Sequence, residues 1–268
     1  MPHQITSSAN PLIKTLKSLH LKKGRAETGL FLAEGARLAR EAADLGIWPE
    51  TLLFAASAHD RAYVRAFVGE AEAHGVKIIE TNETVLGAVA KRDNPQTVIG
   101  AYRQRLTPLH QFDPHLVVAL HTVRDPGNLG TIIRTADAVG ASGVVFVEEC
   151  CDPFSVGAVR ATMGSHFAVK LAQASFAELL AFKQASQAEL WGASLNGVLR
   201  GEADPIPARI IAMMGNEQSG LSPEAEAACD VLLRLPMRGR ADSLNLASAT
   251  AVVLYDLWRR RGYDGAHA

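Results

Sequence analysis

The sequence predicts an α/β protein of two domains, and three observations carry that expectation. At 268 residues the chain is long enough for two cores. Along it, short apolar runs alternate with stretches of helical period. Between two such alternating halves lies "QRLTPLHQFDP", residues 104–114, with two prolines and no period. The spacing therefore predicts an N-terminal domain over 1–105, a linker over 106–114 and a C-terminal domain over 115–268. With 48% hydrophobic and 21% charged residues, the composition is that of an ordinary globular chain.

In chain order, Asn10 followed by Pro11 reads as a capped helix start, with the helix running to about Leu21. Lys14, Lys17, Lys22, Lys23 and Arg25 accumulate here without an acid. Two readings stand side by side: a solvated terminus, or a local patch for an anionic partner. The net charge of -1 gives no global basic signal, but a patch suffices for nucleic acid. "GLFLAEG" reads as a strand, "ARLAREAADLG" as a helix stopped by Gly46, and "TLLFAA" as a strand. "RAYVRAFVGEAEAHG" reads as a helix stopped by Gly75, and "VKIIE" and "TVIGAYR" as strands. In the second half, strands are expected at "HLVVALH", "GVVFVEE", "ELWGASL", "RIIAMMG" and "VLLRLP". Gly-containing turns follow the first, third and fourth, where an open parallel sheet binds ligands.

Several classes fall away. Cys150, Cys151 and Cys229 form no C-x-x-C, so neither a disulfide framework nor a zinc site is expected. No stretch is long enough to span a membrane and the start has no signal-peptide core, so the expected location is the cytoplasm. There is no G-x-G-x-x-G for a dinucleotide. "GNEQSG", Gly215 to Gly220, has the glycine spacing of a phosphate loop, but Leu221 stands where that loop needs lysine. By spacing alone it is a tight strand-to-helix turn.

Two further stretches bear on chemistry. In "DPGNLGTIIRTADAVGASG", residues 125–143, Leu129, Ile132, Ile133, Ala136 and Val139 make an apolar helical stripe. Arg134 lies beside that stripe, either as an edge arginine or aimed into a cleft. In "LPMRGRADSLNLASATAVVLYDLWRRR", Ser243 reads as a helix cap, and the helix that follows is apolar almost all round, for a core or an interface.

Taken in order, "VRDPGNLGTIIRTADAVGASGVVF", "GNEQSGL" and "LPMRGRADSLNLASATAVVLYD" resemble the three motifs of the SpoU-type RNA 2'-O-ribose methyltransferases, across roughly Leu116 to Arg260. "VGAVRATMGSHFAVK" is similar to the family's segment between motifs one and two. The N-terminal part resembles a substrate-binding domain with a small, ribosomal-protein-like α/β fold. The resemblance implies a parallel-sheet methyltransferase domain with a deep trefoil knot, S-adenosylmethionine as methyl donor, no metal, RNA as substrate and a homodimer whose active site draws on both subunits; the two-domain layout favours large-subunit ribosomal RNA over transfer RNA. The family's motif residues match Asn128, Arg134, Glu217, Ser243 and Asn245 as the catalytic set. Its cofactor positions match Leu195, Met214, Gly215, Asn216, Leu235, Met237 and Leu244. Lys22, Lys23, Arg25 and Arg160 are the candidate RNA contacts, with a plain surface helix as the other reading for Arg160. His121, where the family often has an acid, and the Ala247-Ser248 pair depart from the pattern.

Methyl transfer from a sulfonium to a hydroxyl needs an in-line oxygen and an acceptor for its proton. No His or Cys lies in the three motifs, so the acceptor is Arg134, Ser243, Glu217 or an RNA phosphate. Arginine is a poor base, its free pKa exceeding about 12; binding a phosphate bidentately is its other role. A ribosome-assembly factor on the same fold is the competing, non-catalytic reading.

Overall fold

The computed structural model describes residues 3–199 and 204–266. It divides into two units: residues 3–104 with 152–168, and residues 105–151 with 169–266.

The first unit runs β1 (His3–Gln4), α1 (Pro11–Ser18), α2 (Lys22–Thr28), β2 (Leu30–Glu34), α3 (Ala36–Asp44), β3 (Thr51–Ala55), α4 (Ala62–Ala73), β4 (Lys77–Thr81), α5 (Glu83–Ala90) and β5 (Val98–Arg103). Its sheet has the order β1-β4-β3-β5-β2. β3 and β4 pair parallel, while β5 runs antiparallel to both β3 and β2. Asn10 caps α1 by accepting from the Leu12 N–H, with Pro11 in the first turn. The helix expected to reach Leu21 stops at Ser18. Gly24 of α2 then packs on the Ser18 carbonyl so closely that a Cβ would lie 2.3 Å from that oxygen. α5 and β1 had no clear sequence signal.

Residues 152–168 are the main departure from the expected boundaries. They lie inside the 115–268 span but pack on this unit as α7 (Val156–Ala161) and α8 (Ser165–Ala168). Phe154 and Val159 join Phe31, Leu38 and Tyr102 in one buried cluster. His166 is enclosed by Phe31, Phe154 and Phe167, and burial pushes its pKa down to about 4. Periodicity cannot report which core a short helix joins.

This arrangement corrects two of the RNA assignments. Arg25 is 4% exposed and donates to Asp152 Oδ2 through Nε at 2.9 Å and Nη2 at 2.6 Å, and to the Leu19 carbonyl at 2.8 Å. Its charge is spent inside the unit, and breaking such a pair costs about 3–5 kcal/mol. Arg160 donates to both carboxylate oxygens of the buried Glu34, at 3.0 and 3.1 Å. Of the four candidates only Lys22 and Lys23 are exposed, with Lys23 facing its helical neighbour Glu27 at 3.8 Å.

Removal of residues 1–105 therefore does not release an intact domain. It should strip Phe154, Val159 and Phe167 of their partners, each at about 1.5–3 kcal/mol of apolar burial. The truncated protein is expected to bind a hydrophobic dye and to aggregate on light scattering. A monodisperse, dye-silent fragment would contradict this packing.

The second unit carries β6 (Leu116–His121), α6 (Pro126–Ala138), β7 (Gly143–Val147), β8 (Lys170–Ala174), α9 (Phe176–Ser186), β9 (Glu189–Val198), β10 (Ile210–Met214), α10 (Pro223–Ala228), β11 (Val231–Leu233) and α11 (Leu246–Arg260). Its strands are all parallel, in the order β11-β9-β10-β6-β7-β8. Strands such as "LVVALH" and "IIAMM" are buried throughout, as a parallel sheet covered on both faces requires. The expected linker is not free. Phe112 is 4% exposed in this unit's core, lying over Gly143, and the Thr107 N–H donates to the Leu171 carbonyl. From β6 the chain moves through β7 to β8 on one side, while β10 lies on the other. The crevice at the carboxyl ends of β6 and β10 is thus a topological switch point, the usual ligand position in an open α/β sheet.

Candidate active site

The loop after β10 folds tightly back on itself. Asn216 and Gly220 exchange backbone N–H···O bonds of 2.9 Å in both directions, and Gly220 has φ +68°. A Cβ on Gly215 would sit 2.2 Å from the Gly220 carbonyl carbon, so only glycine fits there. The Asn216 side chain accepts from the Gln218 and Ser219 N–H groups and donates to the Thr122 carbonyl at 2.9 Å. Thr122 itself has φ +55°, a strained conformation for a β-branched residue. That bend turns the loop after β6 toward the β10 loop.

The bend delivers N–H groups to Glu217. Its carboxylate accepts from Asp125 N at 2.9 Å, Arg124 N at 3.1 Å and Asn128 Nδ2 at 3.3 Å. Burial works against its charged form. The backbone donors Asp125, Glu217 itself and Arg124, with the Asn128 amide, outweigh burial and hold the carboxyl below its usual range. Asn128 in turn accepts from Asn245 Nδ2 at 2.9 Å. Asn245 uses its own Oδ1 to cap α11 on the Ala247 and Ser248 N–H groups. One hydrogen-bonded chain, Glu217–Asn128–Asn245, thereby ties three loops distant in sequence. The cap of α11 is thus Asn245, and Ser243 makes no hydrogen bond among the described residues. Asp125, which the sequence reading did not single out, caps α6 through Asn128 N at 2.6 Å. The Asp-Pro pair at that helix start was the available signal.

Beside this chain lies a cavity of about 370 Å³, within the range of small-molecule sites. Leu195, Leu235, Met237 and Leu244 supply apolar walls; Met214, Gly215 and Asn216 line it from the β10 loop. Glu217 and Ser243 also face it. Arg134 does not line the cavity. It stands exposed on α6, without an ion-pair or hydrogen-bond partner among the described residues. Ser194, Asn196 and Glu226, which also line the cavity, went unnoticed in the sequence. His121 lies apart from it, 8% exposed against Phe176. Among the described residues no cluster of His, Cys, Asp and Glu is arranged to hold a metal.

The SpoU rRNA Methylase family model matches residues 115–255, more than half of the chain. The chain belongs to the SpoU rRNA methylase family. A second model, the MRM3-like substrate binding domain, matches residues 10–100 of this SpoU protein. It is 31% identical to the 23S rRNA (guanosine(2553)-2'-O)-methyltransferase RlmP of Bacillus subtilis, over 95% of this chain and 98% of that one. An AdoMet-bound rRNA methyltransferase from Sinorhizobium meliloti is 42% identical, with a TM-score of 0.88 over 96% of this chain and 97% of that one. The SpoU methyltransferase AviRb from Streptomyces viridochromogenes, in complex with AdoMet, is 25% identical, with a TM-score of 0.83 over 96% and 100% of the two chains.

Proposed function

We propose that this SpoU protein transfers a methyl group from S-adenosylmethionine to a ribose 2'-hydroxyl of large-subunit ribosomal RNA. The observation that carries the reading is the Glu217–Asn128–Asn245 chain, which ties the three motif loops together beside a cavity lined by the second and third of them. Relatives matched over most of their length support the RNA class, three of them being named 23S rRNA 2'-O-methyltransferases. With ribosomal RNA as substrate, the protein acts in the cytoplasm.

The residues present fit the cofactor. The walls of Leu195, Leu235, Met237 and Leu244 suit an adenine ring, and the tight turn beside Gly215 offers backbone groups to its edge. The cofactor supplies a methyl group on a positively charged sulfur. Glu217 has its lone pairs occupied by N–H donors and is held ionised, so it organises the site; its bonding suits that task better than accepting a proton. Of the five matched catalytic residues, Arg134 and Ser243 are the two whose side chains have no hydrogen-bond or ion-pair partner among the described residues, and both are available to RNA. Arg134 brings a fixed positive fork suited to the phosphate beside the target ribose. Lys22 and Lys23 add phosphate contacts in the N-terminal unit.

Arg134 lies outside its own chain's cavity, which supports a homodimer in which it serves the partner's site. α11 packs on α6 with one face, yet Val252 and Tyr255 remain 47% and 45% exposed on its other face. Replacing both with aspartate should convert a dimer to a monomer on light scattering and remove methyl transfer. An active double variant of unchanged mass would overturn the dimer assignment.

The reaction is tested by titrating the protein with S-adenosylmethionine in a calorimeter and by mapping 2'-O-methyl sites in ribosomal RNA from cells with and without the gene. Cofactor binding and one lost methyl mark are expected. No cofactor binding and an unchanged map would point instead to an assembly factor on the same fold.

A further inference from the structure

Among the described residues, residues 193–197 of β9 have no register partner in β10 or β11. β10 pairs with β9 only as far as Gly192. On the other side, the register with β11 jumps from Gly192 opposite Leu232 to Val198 opposite Leu233. The looped-out stretch forms one lip of the cavity, and at its centre Leu195 is 59% exposed. Gly197 at its end packs against the Leu232 backbone, and side-chain hydrogen bonds hold the residues around Leu195.

One residue of another element supplies them. Ser194 Oγ donates to Glu226 Oε1 in α10, and Asn196 Nδ2 donates to Glu226 Oε2 at 3.2 Å. The Asn196 N–H also donates to Ser194 Oγ at 3.0 Å, closing the triangle. Glu226 therefore grips the residues on both sides of Leu195. A large apolar side chain held out in solvent gains nothing until a ligand covers it.

We propose that Glu226 is a positioning residue of the cofactor site: its carboxylate fastens Ser194 and Asn196 and so presents Leu195 as a preformed wall for the adenosyl part of the cofactor. The inference rests on the methyltransferase reading above. Holding the lip in place before binding avoids the ordering cost that a loose lip would incur.

Calorimetric titration with S-adenosylmethionine and with S-adenosylhomocysteine tests the proposal in wild type, Glu226→Gln, Glu226→Ala, Leu195→Ala and the Glu226→Ala/Leu195→Ala pair. Glu226→Ala should raise both dissociation constants about tenfold and by the same factor, because both ligands carry the adenosyl group. Glu226→Gln should keep most of the affinity, since its amide oxygen still accepts from Ser194 or Asn196. Leu195→Ala should cost about as much as Glu226→Ala, and the double variant no more than either. Should Glu226→Ala melt at a lower temperature, the Ser194→Ala/Asn196→Ala variant, which empties the grip from the other side, should reproduce the same equal loss. Additive losses, unchanged constants, or a loss confined to the cationic S-adenosylmethionine would each overturn the proposal; the last would make Glu226 a partner of the sulfonium charge. If wild type binds neither ligand, the methyltransferase reading itself fails.

Discussion

Replacement of Arg134 by alanine should reduce methyl transfer by roughly 10³-fold, the scale of losing one charged group that acts on the reacting centre, with little change in melting temperature or S-adenosylmethionine affinity. The separation of effects follows from where the side chain stands. Arg134 is exposed on α6, outside the cavity, and among the described residues it holds no partner whose loss would leave a buried charge. The buried face of the same helix, with Leu129, Ile132, Ile133 and Ala136, is untouched by the change. Arg134→Lys divides the roles further. Partial recovery would mean that positive charge and reach are what the reaction needs, and no recovery would mean that the planar fork is required. Single-turnover rates on substrate RNA decide between these, and full activity of the alanine variant would remove Arg134 from the mechanism.

Gly215→Val acts in the opposite way, through the cofactor. The new Cβ would lie 2.2 Å from the Gly220 carbonyl carbon and 2.4 Å from both the Gly220 oxygen and the Leu221 nitrogen. All three are backbone atoms, so the 215–220 turn itself has to open. Opening it pulls Glu217 from the Arg124 and Asp125 N–H groups and frees Asn128 from its anchor. The dissociation constant for S-adenosylmethionine is expected to rise by about 100-fold or more, equivalent to about 2.7 kcal/mol, with a lower melting temperature. Gly239→Ala is the matched control, because a Cβ there meets nothing within 4 Å. Equal cofactor affinity in Gly215→Val and wild type would show that the turn can relax without cost, against the geometry described here.

Much of this chemistry was legible in the residues because local signals and motif spacing report what neighbours in sequence do. The buried strands of the second unit, the capped start of α1, and the glycine stops at Gly46 and Gly75 all follow from short-range sterics and hydrogen bonding. The seven positions matched to the cofactor all line one cavity, since they come from β9, the end of β10 and the loops that follow β10 and β11, three neighbouring parallel strands. Where charge and period misled, long-range packing was responsible. Arg25 and Arg160 carry the right charge for RNA, but Asp152 and Glu34, more than 100 residues away in sequence, consume it. Residues 152–168 read as part of the domain around them and fold into the other, because their apolar face finds Phe31 and Tyr102.

By itself, then, the sequence determined the α/β rhythm, the family and which side chains could take part in methyl transfer. Which cations remain free, which residue caps α11, and how Glu226 ties Ser194 and Asn196 together were decided only by the tertiary structure. The reason is physical: propensity and spacing are properties of one segment, whereas the desolvation of a charge, the collision of a Cβ with a distant carbonyl and the pairing of a carboxylate depend on atoms that meet only after folding.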